Sequence, residues 1–117
     1  MAVTITHENP DSGDERIFTV TAAGGDTSGA IGFGAWADAS VQFAGTFGTS
    51  TVAIEGSNNG TDWATLNDAQ GNALSGVNTA KIEQILESVR YKRVVVAAGT
   101  GNVTVIFYLR RAQPLRV

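Results

Sequence analysis

Apolar and polar residues alternate along most of this chain with a period of two. Residues 16–22 set Ile17, Thr19 and Thr21 against Phe18, Val20 and Ala22. Residues 39–45 place Val41 and Phe43 on one side, and residues 51–56 set Val52 and Ile54 against Ala53 and Glu55. Residues 62–67 set Trp63 and Thr65 against Ala64 and Leu66. Alternation of this kind predicts strands with one buried face. Shorter or less regular strands are expected at 3–6 and 30–37. Polar, Gly-rich stretches at 7–15 and 23–29 break the pattern. Asn59-Gly60 supplies the backbone freedom of a tight turn, so 51–56 and 62–67 are expected to pair.

The strongest strand pattern lies near the C-terminus. Residues 89–98 contain Val94-Val95-Val96, and residues 102–111 contain Val103-Thr104-Val105-Ile106-Phe107-Tyr108-Leu109. Gly99-Thr100-Gly101 between them has hairpin-loop length, which predicts a hairpin about 30 Å long. Residues 80–88 fit two periods. Ile82, Ile85 and Leu86 have helical spacing, while Ile82, Gln84 and Leu86 alternate. A strand or a single helical turn is expected there, with the strand favoured. Strands that are apolar on both sides must be covered, which requires two packed sheets. The fold class read from this pattern is all-β: one antiparallel β-sandwich of seven to nine strands spanning 1–117, jelly-roll or immunoglobulin-like. Strand order is left open.

Composition narrows the function. With 117 residues, 43% of them apolar and 16% charged, the chain can bury a core as one domain. It has no cysteine, one histidine and one methionine, so disulfide frameworks, thiolate metal sites and thiol catalysis are excluded. No apolar run is long enough for a membrane helix, and no secretory leader pattern is visible at Met1. The net charge of −3 hides an asymmetry. Residues 1–80 hold nine acidic residues and one basic residue, whereas residues 81–117 hold seven basic and two acidic. Two charged faces are expected if the fold keeps these stretches apart. Arg90, Lys92, Arg93, Arg110 and Arg111 invite a nucleic-acid reading. The acidic balance and the lack of interleaved aromatics argue against it, so no nucleic-acid partner is expected.

Candidate chemistry is sparse. A Ser-His-Asp triad would have to use His7, the sole imidazole, which sits beside a terminal strand and reads as solvated. Asp11, Asp14 and Glu15 cluster in a polar loop, but their spacing does not match the calcium loop. Gly32-Phe33-Gly34-Ala35-Trp36-Ala37 matches a dinucleotide fingerprint on paper, yet β alternation continues where a helix must begin. No pair among the carboxylates stands out for glycoside cleavage. Neither cofactor nor metal is expected. Trp36 and Trp63 are the best binding candidates, as a partner anchor and a sugar platform respectively, weighed against burial in the core for both.

The stretch Val52-Ala53-Ile54-Glu55-Gly56-Ser57-Asn58-Asn59-Gly60-Thr61-Asp62-Trp63-Ala64-Thr65-Leu66 resembles two groups. One is the discoidin-like sandwiches of the coagulation factor 5/8 type C kind. The other is the small virion proteins of tailed bacteriophages, especially capsid decoration or cement proteins. Asp68-Ala69-Gln70-Gly71-Asn72-Ala73-Leu74, the Arg-rich C-terminal pattern through Val103-Thr104-Val105-Ile106-Phe107, the short length and the Gly/Thr/Ala-rich composition favour the phage group. A discoidin domain is usually longer and disulfide-closed.

The resemblance covers roughly residues 40–111. It implies a non-enzymatic β-sandwich, often a jelly roll, on the outer surface of the capsid, made in the host cytoplasm. Such a protein binds the major capsid protein as a homodimer or homotrimer and stiffens the shell. Candidate partner-binding residues on this reading are Val3, Ile5, Trp36, Trp63, Arg110, Arg111, Leu115 and Val117, with 1–6 and 112–117 as docking arms. The alternative is a carbohydrate- or surface-binding module using Trp63 with Asn58, Asn59 and Asp62, or a phage tail or head–tail component.

Overall fold

A computed structural model describes residues 3–8, 15–32, 38–85, 87 and 89–110. Those residues form nine strands: β1 (Thr4–Glu8), β2 (Glu15–Ala23), β3 (Ile31–Gly32), β4 (Asp38–Thr46), β5 (Val52–Ser57), β6 (Ala64–Thr65), β7 (Lys81–Ile85), β8 (Tyr91–Val96) and β9 (Asn102–Arg110). The ambiguous stretch at 80–88 resolves as strand over β7. One sheet has the order β1-β2-β9-β4-β7 and the other β3-β8-β5-β6, and every pairing is antiparallel. Strands β2 to β9 divide four and four between the sheets. Most successive strands in that set lie in opposite sheets, and β5–β6 is the exception. This is the jelly roll.

That topology overturns the expected C-terminal hairpin. Strand β8 lies between β3 and β5, while β9 lies in the other sheet between β2 and β4. The 97–101 connection turns a corner between the sheets. The reason is ladder demand. Strand β9 makes nine register pairs with β2, from Glu15↔Arg110 to Ala23↔Asn102, and nine more with β4, so neither edge is left for β8. The corner is held by Gly24 N–H donating to Gly101 O at 3.0 Å and Gly101 N–H donating to the Ser50 hydroxyl at 3.0 Å. A Cβ on Gly24 would fall on the backbone of Gly99, so this approach requires glycine.

The expected pairing of 51–56 with 62–67 is present, shortened to Glu55↔Thr65 and Gly56↔Ala64. Gly60 takes the positive φ of the turn, at 77°. Beyond β6 the chain runs back along β5. Leu66 N–H donates to Ile54 O, Ile54 N–H to Leu74 O, and Val52 and Val77 exchange bonds. This connection adds Leu66, Leu74 and Val77 to the core. Most of the rest of the core is the alternate residues of the long strands, including Val20, Val41, Phe43, Ile54, Val94, Val105, Phe107 and Leu109, each fully buried.

Candidate functional site

With the interior filled mostly by these apolar side chains, most of the polar groups of the described residues lie on the outer faces of the two sheets. On the four-stranded sheet, β8 and β5 place Arg93 opposite Glu55. Arg93 Nε and Nη2 both donate to Glu55 Oε1, at 2.8 and 2.7 Å. The same guanidinium lies 4.3 Å from the centre of the Trp63 ring, which is half-buried outside the core. Trp63 is therefore neither a core residue nor a bare platform, because Arg93 stacks on it.

The loop that delivers Trp63 is knitted by its own polar groups. Asn59 Oδ1 accepts from the Ser57 hydroxyl, Thr61 N–H and Asp62 N–H, and Asn59 Nδ2 donates to Asp62 Oδ2 at 2.9 Å. Asn58 Oδ1 accepts from Arg90 N–H at 3.1 Å. The amides named as sugar contacts thus already serve the loop. Arg90 also packs over the Tyr91 ring at 5.1 Å.

The outer face of the five-stranded sheet is of different material. Register places Thr6, Thr19, Ile106, Gln42 and Ile82 in one row across all five strands, with no charge among them. The adjacent row holds Glu8, Ile17, Tyr108, Ser40 and Gln84. The Tyr108 hydroxyl donates to Glu15 Oε2, and this bond holds the phenol pKa above its ordinary value. Ser40, Gln70, Ile82, Gln84, Tyr108 and Arg110 are among the residues lining an open groove of about 430 Å³ on this face.

Sequence reading counts Lys92 with the basic run 90–93 and misses its burial. Lys92 is only 3% exposed and shares the inner face of β8 with Val94 and Val96. Burial lowers its pKa from 10.5 to about 8, against the attraction of the Glu87 carboxylate. Parity was the available signal, since residues 92, 94 and 96 must point the same way.

Among the described residues the acidic and basic stretches of the sequence meet at two places. Glu55 pairs with Arg93, and Glu15 lies in register with Arg110. The basic run 90–93 is divided, with Lys92 turned inward and Arg93 outward.

Of the expected docking residues, Val3 packs against the core and is only partly exposed. Ile5 is 39% exposed and Arg110 is exposed at the end of β9. Trp63, just before β6, and Arg110, at the end of β9, belong to different sheets. From Thr4 onward the proposed N-terminal arm is an edge strand paired with β2. Trp36, Arg111, Leu115 and Val117, with the arm 112–117, lie outside the described residues, as do Asp11 and Asp14. His7 is exposed, its ring tilted against Phe18 at 5.8 Å. Among the described residues no group of three His, Asp or Glu is placed to hold a metal.

The class these features define is a jelly-roll β-sandwich. No protein-family model matches the chain, and no curated protein does. Solved structures share the fold. The SPBc2 prophage-derived protein YomS superposes with a TM-score of 0.63 at 15% identity, covering 93% of this chain and 95% of that one. The Cnp3 cupin domain of Schizosaccharomyces pombe follows with a TM-score of 0.54 at 9% identity, over 94% of this chain and 61% of that one. Peruvianin-I, a cysteine peptidase from Thevetia peruviana latex, gives 0.54 at 14% identity, over 97% and 64%. The chain spans less than two thirds of the last two. At these identities the likeness is one of fold.

Proposed function

We propose that this chain is a structural protein of a tailed-phage virion, a capsid decoration protein that docks on the major capsid protein and stiffens the head without chemical turnover. The observation that supports this most is the end-to-end match to a prophage-derived protein, more than nine tenths of each chain being covered. A filled interior fits the same reading, because it leaves broad outer faces as the surfaces for binding. Repeated docking on one shell makes each added contact effectively intramolecular, so modest single-site affinity suffices. On this reading the protein is made in the host cytoplasm and ends on the outside of the capsid as a homo-oligomer.

The test is co-sedimentation with expanded capsids, together with the temperature at which they rupture. Binding with a raised rupture temperature is expected. Absence of the protein from the capsid pellet overturns the decoration role and leaves a tail or head–tail location. The half-exposed Trp63 keeps a glycan- or surface-binding reading in play. Glycan-array signal that disappears in folded Trp63→Ala would select it.

A further inference from the structure

We infer that β1 is the seam of a homodimer, in which two copies join edge to edge and merge their five-stranded sheets into one of ten strands. Strand β1 is surplus to the eight-stranded jelly roll and lies outside β2. All five of its residues are exposed, although it makes five register pairs with β2. A strand that buries neither face contributes little hydrophobic stabilisation to its own domain, so its exposure calls for a second surface.

The edges of the two sheets are not alike. Strand β7, at the opposite end of the same sheet, carries the Lys81–Glu83 ion pair at 3.7 Å and is met at Ile85 by a bridge to Asp68. Strands β3 and β6 have two residues each. Strand β1 has no Pro, Gly or Lys and no other described strand along its free side, and its one carboxylate, Glu8, stands at its end.

Its sequence, Thr-Ile-Thr-His-Glu, also fits itself under a two-fold axis. An axis through Thr6 uses all five residues. It sets Thr6 against the partner's Thr6, Ile5 against the partner's His7, and Thr4 against the partner's Glu8. No like charges oppose each other. On the inner side, His7 already rests against Phe18, and the partner's Ile5 would cover its other flank. That contact removes from water one of the two most exposed large apolar side chains of the described residues. Shifting the axis to Ile5 or His7 leaves ends of the strand unpaired and gives up these matches. The occupant is therefore a second copy of this chain.

Because the chain has no cysteine, Thr6→Cys introduces a lone thiol on the proposed axis. Directly opposed residues in antiparallel strands have Cα atoms about 4.5–5.5 Å apart, within disulfide range. Mild oxidation of Thr6→Cys is expected to give a covalent dimer at least about tenfold faster than Ile82→Cys, an exposed control on the far edge. Thr6→Lys opposes two ammonium groups at the axis and is expected to convert dimer to monomer in sedimentation while the circular dichroism spectrum of the fold is unchanged. A monomeric or trimeric wild type at high micromolar concentration overturns the inference. Equal cross-linking rates for the two cysteine variants, or a dimer that Thr6→Lys leaves intact, also overturn it. Capsids play no part in this experiment, so its outcome is separate from that of the proposed function.

Discussion

The inward row of β9 reads Val103, Val105, Phe107 and Leu109 without interruption, whereas the matching row of β8 reads Lys92, Val94 and Val96. Outside, the larger sheet shows threonines, isoleucines and Gln42 over its middle, while the smaller shows a guanidinium held between a carboxylate and an indole. One sheet is built from long nine-residue ladders. The other is patched by the 66–77 connection bonding along β5. The contrast teaches where stability and where adjustable chemistry lie. The central strand of the five-stranded sheet supplies an unbroken buried apolar row, and the four-stranded sheet carries the buried Lys92 ammonium and the Glu55–Arg93–Trp63 cluster.

That division can be broken by substitution. Phe107→Ala removes a fully buried ring from the central strand and is expected to lower unfolding free energy by about 4 kcal/mol in urea titration. A loss below about 1 kcal/mol would show that the larger sheet does not dominate the core. Gly24→Ala pushes a methyl into the Gly99 backbone where the two sheets meet, and should cost about 2 kcal/mol.

Lys92→Met removes both the desolvation of a buried ammonium and its attraction to the Glu87 carboxylate, and these opposed changes are expected to leave stability at pH 7 within about 1 kcal/mol of the wild type. The wild type carries the matching pH signature. Between about 8 and 10.5 the unfolded lysine still holds the proton that the folded one has released, so stability rises with pH across that window. The methionine variant should lose this rise. Arg93→Ala breaks the ion pair and the stacking on Trp63 at a partly exposed site. About 1 kcal/mol or less is expected, shrinking in high salt, with a change in Trp63 fluorescence.

Local pattern made the elements legible and left their partners hidden. Alternation around Val20, Val41, Ile54 and Val105 marks strands because one face of each is buried, and the structure buries those residues. The Asn59-Gly60 turn was also readable, since its hydrogen bonds close within a few residues. Nothing local says that β9 pairs with β2, since Glu15 and Arg110 stand at opposite ends of the chain. A short Gly-rich loop between two apolar strands looks alike whether it folds back in one sheet or crosses to the other. Only competition for ladder edges decides between these. The site was less legible for the same reason. Trp63 was visible as a candidate, but Arg93, which stacks on it, comes from β8 and is itself held by Glu55 of β5.

The place of β9 also bears on how the protein is born. Strands β2 and β4 touch the rest of their sheet through β9 and have no pairing with each other. A nascent chain that has not yet released this strand from the ribosome holds two separate ribbons, β1–β2 and β4–β7, each with a naked apolar flank. Assembly must wait for the keystone, making maturation slow and leaving prematurely terminated products prone to aggregate.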